Sequence, residues 1–157
     1  AYSRDEAKVT LVSVADRPGV AAAIFVPLAA AGVNVDMIVQ NISEEGRTDM
    51  TFSCPINEVG RAQKALEGAK TSGSINFHGL LVDDAVAKVS IVGVGMRSHA
   101  GVASRMFVAL AKENINIQMI STSEIKVSVV IEEKYLELAG RALHTAFELD
   151  APARQGD

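Results

Sequence analysis

This chain is written twice, and that restricts its fold more than any other feature. Lys8-Val9-Thr10-Leu11-Val12-Ser13-Val14 returns as Lys88-Val89-Ser90-Ile91-Val92-Gly93-Val94. After a two-residue insertion the register continues: Gly19-Val20-Ala21 matches Gly101-Val102-Ala103, and Phe25 and Leu28 match Phe107 and Leu110. Val33-Asn34-Val35 then falls on Ile115-Asn116-Ile117, and Met37-Ile38 on Met119-Ile120. Two copies are too few for a solenoid, which needs at least three repeats to bury a continuous core. Two small related domains remain. The 157 residues can close such a core without a metal or disulfide staple.

Each copy reads in the same order. Residues 8–14 and 88–94 are short and β-branched, the pattern of strands. Val20, Ile24, Leu28 and Ala31, and in the second copy Val102, Met106, Ala109 and Leu110, are spaced for one face of a helix. Pro27 inside the first helix predicts a kink, and Gly32 and Asn114 stand where the helices should stop. Second strands follow at 33–41 and 115–122. A Ser43–Gly46 hairpin leads into a third strand at 47–54, matched by Ile125–Ile131 in the second copy. Second helices begin near Asn57 and Glu133. The first copy finishes with a fourth strand at Ile75–Val82, giving a unit over 8–82. The second, over 87–149, has only the polar tail 150–157 left, and Pro152 there argues against a strand. An open sheet edge invites pairing. The expectation is that residues 1–6 supply the missing strand and so intertwine the units.

Composition removes several functions. Fifteen Lys and Arg against nineteen Asp and Glu leave a net charge of −4 and no long basic run, so neither nucleic acid nor an anionic membrane is attracted. The chain has no Trp, and the central strands offer Leu11, Val12, Thr51 and Ser53 where an RNA-stacking sheet would carry aromatics. The near-apolar stretch Val20–Val33 is too short for a membrane span. The charged start does not read as a signal peptide, and a soluble protein of the cytoplasm is expected. Cys54 is the single cysteine, and His78, His99 and His144 have no ligand spacing to one another, so no metal site is expected. Gly93-Val94-Gly95-Met96-Arg97-Ser98 imitates a dinucleotide-binding turn but has serine at the third glycine. Asp83-Asp84 reads as a solvated turn. No catalytic constellation or cofactor site emerges.

The junction between strand one and helix one is different. Asp16-Arg17-Pro18-Gly19-Val20-Ala21 places a carboxylate, a rigid turn and a glycine at a helix start. Uncapped N–H groups with the helix dipole behind them suit a ligand carboxylate, and Asp16 suits its ammonium. The same residues also make an ordinary cap and turn.

Ala15–Ala21 with Asp36-Met37-Ile38-Val39-Gln40-Asn41 resembles the amino-acid-binding ACT domain of aspartate kinases. Val92–Ala103 and Ile120-Ser121-Thr122-Ser123-Glu124-Ile125 resemble that family's second ACT domain. The resemblance runs from about Lys8 to Leu149. It implies an α+β fold of two ferredoxin-like βαββαβ units, with antiparallel sheets and helices on one face. The family's kinase portion has no counterpart in these residues. A regulatory subunit of a two-subunit aspartate kinase, or the regulatory half cut from a longer one, is therefore expected.

The resemblance further implies that free threonine, lysine or both bind between ACT units and restrain aspartate phosphorylation. Carried over, the first effector site uses Asp16, Gly19, Ala21 and Gln40, faced by Asn116 and Ile117 of another ACT unit. A second site would use Met96, Ser98, Gly101, Ser123 and Glu124, although Met96 and Ser98 depart from the pattern around Asp16. The implied partners are a second copy, giving a homodimer through strand two, and a catalytic kinase subunit. A dimerisation scaffold without effector binding, or an independent small enzyme on the same fold, stay open at this point.

Overall fold

The β-branched run of the first repeat becomes strand β2 (Glu6–Ala15), and its partner in the second becomes β6 (Val86–Val92). The computed structural model describes residues 2–41, 45–92 and 99–149. It divides into one unit of Asp5–Asp84 and another of Ala85–Asp157 joined by Ala1–Arg4. The first unit carries β2, α1 (Val20–Ala30), β3 (Ile38–Gln40), β4 (Arg47–Pro55), α2 (Val59–Thr71) and β5 (Gly79–Asp83). Its antiparallel sheet has the order β3-β4-β2-β5. The second unit carries β6, α3 (His99–Lys112), β7 (Met119–Thr122), β8 (Lys126–Glu132) and α4 (Leu136–Leu149). Strand β1 (Tyr2–Ser3) lies beside β6, completing the order β1-β6-β8-β7. The edge strand comes from the 1–6 segment as expected, although only Tyr2–Ser3 pair there and Glu6 already opens β2.

In the first unit Val9, Leu11, Val14, Met50, Phe52 and Cys54 of the sheet meet Val20, Ile24, Leu28, Ala62 and Leu66 of the helices. Phe25 packs edge-on against Phe52 at 5.8 Å. The second unit repeats this with Ala87, Val89, Val127, Val129 and Ile131 against Met106, Leu110, Leu136, Ala139 and Leu143. Helix α1 runs through Pro27 as one element. It stops where expected: Gly32 takes φ +77°, and Val33 N–H donates to the Leu28 carbonyl at 3.0 Å. Asn114 does the same at φ +59°, with Ile115 N–H on the Leu110 carbonyl at 3.0 Å. Cross-strand hydroxyl pairs also repeat, Thr10 with Thr51 at 2.9 Å and Ser90 with Ser128 at 2.6 Å.

The second strands are shorter than the patterns 33–41 and 115–122 suggest. Residues 33–35 lie outside the ladder; Asp36 N–H donates to the Ser53 carbonyl and Ser53 N–H to the Met37 carbonyl, both at 2.9 Å, and Ser53 Oγ accepts the Met37 N–H at 3.0 Å. Val130 stands at the matching place in the second unit, where Gln118 N–H donates to its carbonyl at 2.8 Å and β7 pairs from Met119. The fourth strand likewise begins at Gly79, with Ile75 and Phe77 buried on the approach.

Cys54 is buried, and desolvation, reinforced by Glu58 and Glu6, pushes its thiol up to about 11. A thiolate is the reactive form. At pH 8 the native chain should therefore resist Ellman's reagent, while urea should release one reactive thiol per chain. Rapid native labelling would place Cys54 outside the core.

Candidate functional site

Strand β2 reaches α1 through a bulge. Leu11 pairs with Met50 and Val14 with Thr48, so Val12 and Ser13 together oppose Asp49. Ser13 sits at φ +60°. Its N–H donates to Asp49 Oδ1 at 2.9 Å, its hydroxyl accepts from Arg47 Nε at 2.6 Å, and its carbonyl accepts from Arg47 Nη2. Beyond the bulge, Asp16 N–H closes on the Gly46 carbonyl at 2.8 Å. Arg17 and Pro18 turn the chain, and Gly19 at φ +91° forms the N-cap. That backbone conformation suits glycine and strains most other residues.

Gly19 brings no capping side chain, and the first turn of α1 contains no acidic residue. The early N–H groups of the helix, including that of Ala21, therefore face outward without a side-chain cap. Gln40, at the end of β3, pairs with Met50, and its Nε2 lies 3.3 Å from Asp16 Oδ1. Thr48 Oγ1 donates to the Asn41 carbonyl at 2.5 Å and holds the exit of β3 beside β4. Asp16, Gly19, Ala21 and Gln40 are all exposed and converge on one helix end. This cluster presents N–H donors, a carboxylate and an amide with both donor and acceptor, a set that can hold an α-amino acid by both charged ends.

Asn116 and Ile117 lie in the second unit, on the segment entering β7; Asn116 is exposed and Ile117 packs against that unit's core. The matching residue of the first unit is held differently. Asn34 donates its backbone N–H to Glu58 Oε1 at 2.6 Å and its side-chain amide to Oε2 at 2.9 Å. Glu58 closes the short 3-10 turn Ile56–Glu58, and Tyr135 closes the corresponding turn Glu133–Tyr135. Tyrosine has no such two-oxygen acceptor, so Asn116 keeps its amide available. Sequence reasoning missed Ser13, Arg47, Asp49 and Glu58. The bulge was signalled by the core pattern, which steps Val9, Leu11 and then Val14 instead of residue 13.

Of the second candidate group, Met96 and Ser98 lie outside the described residues, as do Ser43 and Glu44 of the Ser43–Gly46 hairpin. Gly101 sits in the first turn of α3, and Ser123 and Glu124 are exposed at the β7–β8 hairpin. A groove of about 660 Å³ between α3 and α4, lined by Arg105, Val108, Lys112, Leu138 and Arg141, contains none of the expected site residues. Among the described residues, no group of three or more His, Cys, Asp or Glu is placed to hold a metal. No described helix is long and apolar enough to cross a membrane.

Models of the ACT domain match residues 8–70 and 89–147. The chain is 65% identical to an aspartate kinase of Pseudomonas fluorescens over 157 residues, all of this chain and 38% of that protein. An aspartokinase of Helicobacter pylori is 51% identical over 151 residues, 36% of its length. The solved regulatory subunit of Thermus thermophilus aspartate kinase, in its ligand-free form, superimposes with a TM-score of 0.86. It is 40% identical, with 94% of this chain and 96% of that one covered. The chain belongs to the aspartate kinase regulatory family. A structure of aspartokinase alpha and beta subunits agrees, with a TM-score of 0.84 and 48% identity over 94% of this chain and 96% of that one. This ACT pair spans about 38% of the length of the curated aspartate kinase from P. fluorescens.

The Asn34 hydrogen bonds, backbone first, hold the Glu58 carboxyl below its usual range, against the opposing effect of burial. A depressed carboxyl contributes stability that is present above its unfolded value, near 4.3, and lost as pH falls through the folded one. Glu58→Gln should therefore lower the urea midpoint at pH 7, with a gap that closes as pH falls below about 4. A gap unchanged across that range would deny Glu58 this role.

Proposed function

We propose that this chain is the regulatory part of an aspartate kinase and senses a free amino acid at the start of α1. Threonine is the favoured effector, with lysine as a further one. The carrying observation is the exposed convergence of Asp16, Gln40 and the uncapped, glycine-led N-terminus of α1. In this reading Asp16 faces the ligand ammonium, the N–H groups of the first turn face its carboxylate, and Gln40 takes the threonine hydroxyl. Asn116 and Ile117 close the site from another ACT unit. The Met96, Ser98, Gly101, Ser123 and Glu124 group is kept as a second effector position. Occupancy restrains phosphorylation of aspartate by a separate catalytic portion, in the cytoplasm.

A second copy is the proposed structural partner. Edge strand β3 exposes Ile38 (53%) beside an apolar recess of about 400 Å³ lined by Phe25, Ala29, Val33 and Val35. Covering such an edge satisfies its backbone and removes the apolar patch from water. Light scattering at micromolar concentration should give a dimer, and a monomer with and without threonine would contradict it.

Threonine at a hundredfold excess over its dissociation constant should stabilise the chain by about 2.7 kcal/mol. For a cooperative unit of this size that is a melting-temperature rise on the order of 5–10 °C. Gln40→Ala should cost roughly 1–3 kcal/mol of binding by leaving a buried ligand group unpaired, and Asp16→Asn should weaken binding similarly. The apo melting temperature should hold in both, because both side chains are exposed. Full shifts in both variants would move the site elsewhere. The chain alone should form no aspartyl phosphate from ATP.

A further inference from the structure

Every polar atom of Ser13 is taken by two side chains of the opposing strand. Asp49 accepts its N–H, and Arg47 donates to both its hydroxyl and its carbonyl. Ser13 stands at φ +60°, a backbone state that L side chains rarely adopt and that persists when its surroundings impose it. Arg47 and Asp49 project from the same face of β4, two residues apart, and bracket the bulge.

The consequence is one of register. In strict alternation, Val9 and Leu11 would be followed inward by residues 13 and 15. The bulge substitutes Val14, which is buried, and carries the next position, Asp16, to the helix end of the sheet. A one-residue slip turns every later side chain to the opposite face. Asp16 would then leave Gln40, now 3.3 Å away, and the turn through Gly19 would be re-aimed.

Resting on the effector-site reading above, we propose that Arg47 and Asp49 are positioning residues for that site: they touch no ligand and act by holding Ser13 in the bulge. The second repeat offers an independent comparison. There the residue matching Ser13 is Gly93, a residue type that can adopt positive φ without help, and Glu124 and Lys126 stand in the places of Arg47 and Asp49.

This gives a rescue experiment. In Arg47→Ala, threonine affinity measured by calorimetry should fall roughly tenfold, the scale set by a strained non-glycine residue. The backbone N–H of Asp16 should exchange with solvent faster in the apo protein. Adding Ser13→Gly should restore both, because glycine needs no clamp. Arg47→Lys, which keeps the charge but loses the fork, should behave as a milder Arg47→Ala and serves if the alanine variant fails to fold.

Wild-type affinity in the Arg47 variants overturns the proposal. So does a loss that Ser13→Gly leaves uncorrected, which would make Arg47 a direct ligand contact. Failure of the site reading looks different: threonine and lysine leave wild type untouched, or Gln40→Ala and Asp16→Asn bind as wild type. In that case Asp16 exchange decides the clamp alone, and unchanged exchange in Arg47→Ala overturns it.

Discussion

The ladder between β2 and β4 must place three side chains against the helices and still deliver a carboxylate to the start of α1. Period-two alternation cannot do both over Val9–Asp16. The extra residue at Val12–Ser13 resolves the conflict by keeping Val9, Leu11 and Val14 in the core and moving Asp16 to the helix end. The positive φ of Ser13, the Arg47 and Asp49 hydrogen bonds, the Asp16–Gly46 closure and the Gly19 cap all follow in sequence along the chain. The recognition geometry of the first unit is thus set one turn before the residues that would touch a ligand.

The two repeats show which features the fold requires and which are specialised. Both stop their first helix with a left-handed residue and a 3.0 Å return hydrogen bond, and both join their central strands by a buried or half-buried hydroxyl pair. They part at single positions. Ser53 Oγ accepts the Met37 N–H where Val130 has no hydroxyl, and Glu58 occupies Asn34 while Tyr135 leaves Asn116 open. Two related units therefore present unlike surfaces from the same scaffold.

Much of this was legible in the residues. The doubled Lys-Val motif, the helical spacing of Val20, Ile24 and Leu28, and the stops at Gly32 and Asn114 carry the α+β class and the repeated element order. The approach of Asp16 to Gln40 was also legible, through the resemblance. What was not legible depended on long-range side-chain hydrogen bonds. The Met37 N–H turns to a side chain, Ser53 Oγ, at the start of the second strand. The clamp on Ser13 joins residues 34 and 36 positions apart, which periodicity cannot pair. Asn34 looked as free as Asn116 until Glu58 was seen to hold it.

In the proposed effector site an amino acid is held between the start of α1 and Asn116 of another ACT unit. Amide-resolved NMR during a threonine titration tests it most directly. The described site requires the largest shifts at the backbone amides of Gly19–Ala22 and at the side-chain amides of Gln40 and Asn116, with Asn34 unmoved. Shifts confined to the α3–α4 groove, or absent at saturating threonine and lysine, would contradict it.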